Sequence, residues 1–398
     1  MHSRQKIKIA VAHNNISHNT QGIMAGITDF IRTKGDWQLI IWPDSSLESL
    51  EFLKQRGCKG AFVSVQTSTK AQQLLSLGIP IIAVSTLQTM LNLPFISADS
   101  EQIAKMAYDY FVDKKFANFA FFGLTEAHWS RQRMEHFSRL AAADGGTVHV
   151  YTGPPALITS DITSFARLLL RSELNKSQQE LLDWLVQLPK PVAVLASCDL
   201  LACHLMIAAS DAGLSIPDDI AVLGVDNDEA LCNLCDPPLS SIAFNFKKAG
   251  CDAAQLLDRL ISGQDTMRGQ RICILPSEIK SRGSTDIYAI SDPDIIKALQ
   301  YIRANRTQPM QVEDIGRHIC ISKRSLQLKF QKTLNRSIHD EIVRAHFEVA
   351  KALLIETDLP IDEIAVRSGF HYTSNLRRVF VKITGMLPHL YRQLHRPR

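Results

Sequence analysis

Residues 361–385 read IDEIAVRSGFHYTSNLRRVFVKITG, and residues 312–333 read VEDIGRHICISKRSLQLKFQKT. The two stretches share one outline: a short amphipathic helix with acids in its first turn, a sharp break, then a helix rich in Arg, Lys, Ser, Thr, Asn and Gln. That is the pattern of a helix-turn-helix, whose second helix can lie in the major groove of DNA.

In the first copy Asp314 suits the positive end of a helix dipole, and Ile315 and Ile319 make an inward face. Ser322 is a good N-cap for the next helix, whose first turn can present N–H groups to a phosphate. Leu326 and Phe330 share its buried side. Lys323, Arg324, Gln327 and Gln331 lie opposite, where Arg and Gln can pair bidentately with guanine and adenine edges. In the second copy Ile361, Ile364 and Ala365 point inward and Gly369 supplies the turn. Leu376, Val379 and Phe380 anchor the following helix and leave Thr373, Ser374, Arg377 and Arg378 outward. An amphipathic helix over 338–355 joins the copies and can set two reading heads about 34 Å, one turn of DNA, apart. Core helices with solvated polar faces would look alike for one copy; two copies in register argue against that reading.

Charge supports it. From Ile290 to the end there are 18 Lys/Arg against 11 Asp/Glu, net +7, while the preceding 289 residues carry 26 against 29, net −3. A basic tail behind a mildly acidic front implies that the tail alone meets a polyanion. The 398 residues exceed what one core usually serves, and 45% apolar with 21% charged residues is ordinary for a globular chain. The start, MHSRQKIKIAVAHNN, lacks a signal-peptide pattern, and no run approaches the ~20 apolar residues of a membrane span. The expectation is a cytoplasmic protein with no membrane partner. Its eight cysteines are scattered, and a reducing compartment argues against disulfides. Cys232 and Cys235 form a lone CxxC without a second pair, and read as ordinary small residues rather than a zinc or redox site. No metal or cofactor is expected.

The front alternates short apolar strands with helical periodicity: strands near 7–12, 38–42, 60–65, 81–84, 95–98 and 118–122, with helices including 47–56 and 100–111, then a second series with strands near 148–151, 192–196 and 220–225. Alternation with short loops means βαβ units and parallel sheets. Two such halves suggest a cleft between lobes, with ligands at strand carboxyl ends. The polar residues placed there are Asn14, His18, Asp99, Arg133, Cys198, Asp199, Asp226 and Asp228.

Residues 192–242 contain D-x-x-A from Asp199, G-x-x-I-P-D-D-I from Gly213, GVD ending at Asp226 and P-P-L-S-S-I from Pro237. This stretch resembles the effector-binding core of the LacI/GalR family and its periplasmic sugar-binding relatives. Because the sequence opens on a strand, that family's N-terminal DNA-binding helices are not expected here. The tail is similar to the AraC/XylS family in its I-x-x-I-A, GF, F-x-K, G, P and YR from Ile361 to Arg392. Leu376 departs from an aromatic position and Val381 from a basic one, which touches phosphate contacts near Val381. The resemblance implies base-reading positions at Arg324, Gln327 and Leu328, and at Thr373, Ser374 and Arg378; Leu328 offers only apolar contact, for example to a thymine methyl. The joined architecture resembles the D-xylose operon activators, through FFGL…W…R…F over 121–137, R-x-STD over 282–286 and YIR from Tyr301.

That resemblance implies an α/β two-lobed effector domain over 1–275, a linker over 276–293 and an all-α domain over 294–398. Arg133 and Asp226 match ligand contacts of the LacI/GalR family, and Cys198 stands where Asn is common in sugar binders. Each has a structural alternative: Asp226 a turn cap, Arg133 a surface pair with Glu126 or Glu135, Asp99 an N-cap. Asn14, His18, Trp129 and Asp199 complete the candidate effector set. No P-loop, GxGxxG, G-x-S-x-G or HExxH is present, so an enzyme is not expected. The expected function is a sequence-specific transcription activator of genes for xylose or a related pentose, controlled by a monosaccharide and acting as a homodimer on direct-repeat half-sites of double-stranded DNA with RNA polymerase. A repressor or dual regulator answering another small molecule is the alternative.

Overall fold

Parallel strands buried on both faces need helices on either side, and the front of this chain meets that need twice. The computed structural model describes residues 6–12, 18–42, 53, 55–65, 67–86, 92–124, 127–152, 174–267, 269–290 and 292–395. They divide into two units, Met1–Ile287 and Tyr288–Arg398.

The first unit opens with β1 (Ile7–Ala12), α1 (His18–Lys34), β2 (Trp37–Trp42), β3 (Gly60–Val65), α2 (Ser68–Leu75), β4 (Ile81–Thr86) and β5 (Phe95–Ala98). It continues with α3 (Ser100–Asp113), β6 (Phe119–Phe122), α4 (His128–Ala143), β7 (Val148–Val150), α5 (Leu174–Gln187), β8 (Val192–Ala196), α6 (Asp199–Asp211), β9 (Ile220–Asp226), α7 (Glu229–Leu234) and β10 (Ser240–Phe244). It closes with α8 (Phe246–Ile261), β11 (Arg271–Ile274) and β12 (Pro276–Lys280).

Two six-stranded sheets result, ordered β11-β5-β4-β3-β1-β2 and β12-β10-β9-β8-β6-β7. Every described pair is parallel except β12, which runs antiparallel to β10. The chain therefore crosses between the sheets three times: after β5, after β10, and at Leu275 alone between β11 and β12. The all-apolar VAVLA of β8 is buried along its whole length, as a central parallel strand must be.

The expected linker over 276–293 differs from what is observed. Residues 276–280 are the edge strand of the second sheet, with Pro276 at its first position, where a missing N–H is tolerated. Ser284 and Thr285 are fully buried in the first unit, while Tyr288 and Ile290 pack on the second unit's core. The sequence showed neither strand clearly, because polar edge residues lack the apolar signal of a central strand. Strand β10 and the short α7 also went unread. The helix expected over 47–56 falls mostly outside the described residues.

Helix α8 lies against α1 through glycines. A Cβ on Gly26 would stand 1.9 Å from the Lys247 carbonyl oxygen, and one on Gly250 2.0 Å from that of Ile23. Backbone thus meets backbone, covering the face of the first sheet formed by Ile9, Phe62 and Ile82.

The second unit is helical: α9 (Pro293–Ala304), α10 (Val312–Ile319), α11 (Lys323–Leu334), α12 (Ile338–Glu356), α13 (Ile361–Arg367), α14 (Thr373–Thr384) and α15 (Pro388–His395). It has two small cores. Ile295, Ile302, Ile315, Leu326, Phe330, Ile338 and Ile342 make one. Phe347, Ala350, Leu354, Ile364, Leu376, Phe380 and Tyr391 make the other. Helix α12 belongs to both.

Gly26→Ala and Gly250→Ala should each lower the stability of the first unit by about 1–3 kcal/mol, the usual cost of forcing atoms into a packed contact. Denaturant unfolding checks this; an unshifted midpoint would show that the helices part freely.

Candidate effector and DNA-binding sites

At the carboxyl ends of β6, β8 and β9 the first unit gathers charge in a buried place. Arg133, on the second turn of α4, is 4% exposed. Its guanidinium lies over the Trp129 ring, 4.8 Å from the centroid, and its Nη1 donates to the Ser197 carbonyl after β8. It is no surface pair. Burial pulls its pKa down, while Asp226, Cys198 and Asp199 act the other way by their charge. Among the described residues, the Arg133 Nε and the fully buried Ser197 Oγ have no hydrogen-bond partner. Buried polar atoms normally find one. Ser197 was not singled out from sequence, although its place directly after a buried strand marked it.

Asp226 ends β9 with φ 113°, followed by Asn227 at φ 52°. Positive φ at two consecutive non-glycine residues costs free energy and is held only where the surroundings impose it. The surroundings are explicit. Asn227 N–H donates to Ser241 Oγ at 3.0 Å, Asp228 N–H donates to Asp199 Oδ2 at 2.7 Å, and Asp228 itself caps α7 through the Leu231 N–H. Asp199 is 2% exposed, with Ser241 Oγ donating to its other oxygen at 2.5 Å. Its carboxylate is thus engaged in holding the turn rather than open to a ligand. Gly224 makes room for it: a Cβ there would come within 2.2 Å of Asp199 Oδ1. Burial, with Asp226 next, pushes the Asp199 carboxyl up to about 8. Burial and the same aspartate push the Cys198 thiol up to about 12.

The other candidates scatter. Asp99 caps α3, accepting from the Glu101 and Gln102 N–H groups at 3.1 Å, which is the N-cap alternative. His18 begins α1, but its side chain, like all of Asn14, lies outside the described residues.

The segment after β12 forms a clasp. Arg282 donates from Nη1 to the Leu239 carbonyl and from Nη2 to Asn227 Oδ1, both at 2.9 Å. Ser284 Oγ donates to the Val222 carbonyl at 2.6 Å, and Thr285 Oγ1 to Ser240 Oγ at 2.7 Å. Gly283 is small because a Cβ would lie 2.6 Å from Pro237 Cβ. Arg282 is thus bound to the turn that carries Asp226, and Ser284 and Thr285 to strands β9 and β10.

In the second unit, the first helix-turn-helix bends at Cys320, φ 60°, and Ser322 caps α11 by accepting from the Ser325 N–H. Arg324, Gln327, Leu328 and Gln331 are exposed along α11, Leu328 at 63%. Lys323 is paired with Glu313 at 2.7 Å, and Lys329 is spent on Asp292 and Asp294 of α9. In the second motif Gly369 turns the chain at φ 79°, where a Cβ would strike His346 Nε2 at 2.6 Å. Ser374, Arg377 and Arg378 are exposed on α14, and Thr373 is half-buried. Tyr372, at the N-cap of α14, is 70% exposed. An exposed aromatic there is the signal the sequence reading passed over. Val381 is solvent-facing on α14. Arg392 is structural: it donates to the Leu354 and Leu359 carbonyls and so closes the C-terminus of α12.

A periplasmic binding protein-like domain model matches residues 108–285, and a helix-turn-helix domain model matches 315–394. The xylose operon regulatory protein of Haemophilus influenzae is 28% identical over 397 residues, covering 98% of this chain and 99% of that protein. The protein of that name from Escherichia coli (strain K12) is 26% identical over 381 residues, 94% and 93%. A solved structure titled as the xylose-binding transcription activator xylR superposes with a TM-score of 0.62 at 24% identity, covering 99% of both chains. The chain is a DNA-binding transcription regulator in which a periplasmic binding protein-like unit precedes a helix-turn-helix unit. Over nearly its whole length it is similar to the xylose operon regulatory proteins of those two organisms.

Two outcomes follow from this geometry. Arg378→Ala should weaken operator binding by about 1–3 kcal/mol and relax preference at one base position, if Arg378 reads a base edge; a gel-shift series over single-base operator variants decides, and an unchanged preference refutes the role. Asp199, raised to about 8 in the fold from an ordinary 3.8, holds a proton that the unfolded chain has lost between those values. Stability of the first unit should therefore fall as pH rises from about 4 to about 8. Thermal unfolding across that range should show the decline, flattened in Asp199→Asn.

Proposed function

We propose that the first unit binds a monosaccharide, xylose or a related pentose, between its two sheets, and that binding there sets how the second unit engages DNA. The observation that carries the reading is the buried Arg133 stacked on Trp129, with its Nε and the Ser197 Oγ without hydrogen-bond partners among the described residues. A planar forked donor beside an aromatic ring suits vicinal hydroxyls on a sugar face. Arg133, Trp129, Ser197, Cys198 and Asp226 would line the pocket, with Asp199 holding the turn beside Asp226. The names of the full-length relatives point to xylose.

On the DNA side Arg324, Gln327, Leu328 and Gln331 of α11, and Thr373, Ser374, Arg377 and Arg378 of α14, would face successive major-groove segments, with Lys323 and Tyr372 at the backbone. Two motifs per chain fit a homodimer on direct-repeat half-sites, acting as a cytoplasmic activator that meets RNA polymerase. No described helix is long and apolar enough to cross a membrane. The protein works by binding equilibria, not by turnover.

The test is operator binding with and without a panel of pentoses and hexoses at fixed salt, since phosphate contacts make affinity salt-dependent. A pentose should change affinity or footprint, and Arg133→Ala should abolish that response while leaving sugar-free DNA binding intact. No sugar acting would refute the effector assignment. Arg282→Ala should keep sugar binding but blunt its effect on DNA; a full response would remove the clasp from the pathway.

A further inference from the structure

The CxxC of Cys232 and Cys235 is not the notable thiol pair; Cys235 instead faces Cys203, a residue 32 positions earlier. The Cys235 and Cys203 sulfurs are 3.0 Å apart, in hydrogen-bond contact, both half-buried at the edge of the core under the second sheet. Cys232 points elsewhere, fully buried with its Sγ 3.6 Å from Asp199 Oδ2. Cys203 sits on α6, and Cys235 is the residue that terminates α7. Both sulfurs also approach the Leu231 carbonyl, at 3.8 and 3.4 Å, so the last turn of α7 is already laid against α6.

We propose that Cys203 and Cys235 are a reversible dithiol–disulfide pair that pins α7 to α6 and so stiffens the 226–228 turn. Closing it requires the sulfurs to approach by about 1 Å, to a covalent length of roughly 2.05 Å. Neither thiol is sealed from solvent. The hydrogen bond between the two sulfurs favours a thiolate at one of them, and contact with Cys203 holds the Cys235 thiol below its ordinary value. With a peroxide as oxidant, the Cys235 thiolate attacks one peroxide oxygen and the O–O bond breaks, giving a sulfenic acid and hydroxide. The Cys203 sulfur then displaces hydroxide from it. One S–S bond forms, two thiols lose one electron each, and hydrogen peroxide is reduced to two waters. A dithiol reductant returns both thiols. In a reducing compartment such a pair stays open except during oxidant exposure, the usual setting of an intracellular redox-sensing disulfide.

The consequence runs through α7. Its N-cap is Asp228, whose N–H is held by Asp199, and Asp226 lies two residues before it. A covalent tie at the C-terminal end of this six-residue helix restrains that turn from the far side.

The experiment treats the full chain with stoichiometric hydrogen peroxide, blocks remaining thiols, and maps cross-linked peptides by mass spectrometry without reduction. A linked pair containing Cys203 and Cys235, short of two hydrogens and lost on dithiothreitol treatment, is expected. It should persist in Cys232→Ser and vanish in Cys203→Ser. Amide exchange over 227–235 should slow on the order of ten-fold in the oxidised chain. A dominant Cys232–Cys235 or intermolecular link, or no link at all, would overturn the pairing. A correct link with unaltered exchange would overturn the stiffening. Neither readout depends on which sugar binds.

Discussion

One guanidinium carries much of the first unit's logic. Arg282 bridges the Leu239 carbonyl and the Asn227 side chain, and Asn227 belongs to a turn whose φ angles are unfavourable without such support. Hydrogen bonds to charged donors are stronger than neutral ones, about 1.5–3 kcal/mol each. The same residue begins the segment by which the chain leaves the effector unit. A displacement of Asp226 by a ligand therefore cannot leave that segment untouched. Ser284 and Thr285, buried and bonded to β9 and β10, hold that segment against the first unit.

Within the second unit, spacing is fixed by α12. Nineteen residues give it a length of about 28 Å, and each end lies in a different core. Arg392 closes its carboxyl end. His346, at its middle, contacts the Gln308 carbonyl at 3.0 Å and the Phe370 ring at 5.6 Å between centroids. Burial keeps this imidazole below its ordinary pKa. The loop before the first motif and the turn of the second thus meet on one side chain, and Gly369 is the residue that leaves room for it.

Sequence disclosed the elements whose signals are local. The helix-turn-helix pair was legible from caps, turn residues and apolar spacing, and the parallel strands from continuous apolar runs such as VAVLA. What it concealed was pairing at a distance. Residues 276–285 look like linker because their hydrogen bonds go to Val222, Asn227, Leu239 and Ser240, 42 to 62 residues back. Asp199 looked like a ligand contact because an acid after a strand fits both roles, and its donors, Ser241, the Asp228 N–H and the Cys232 thiol, show only in the fold. Ser197 stayed hidden because a serine carries little signal by itself. Cys203 was invisible beside the conspicuous CxxC, since its partner is chosen by how α6 and α7 pack.

In the proposed function, sugar and DNA binding are coupled through one protein. Coupling of this kind is reciprocal: the factor by which sugar alters DNA affinity must equal the factor by which DNA alters sugar affinity. Calorimetric titration of xylose into the full chain, alone and saturated with operator DNA, measures it directly. Coupling requires the two sugar dissociation constants to differ, on the order of five-fold or more, by the same factor as the shift in DNA affinity. Equal constants, with xylose bound in both titrations, would contradict it.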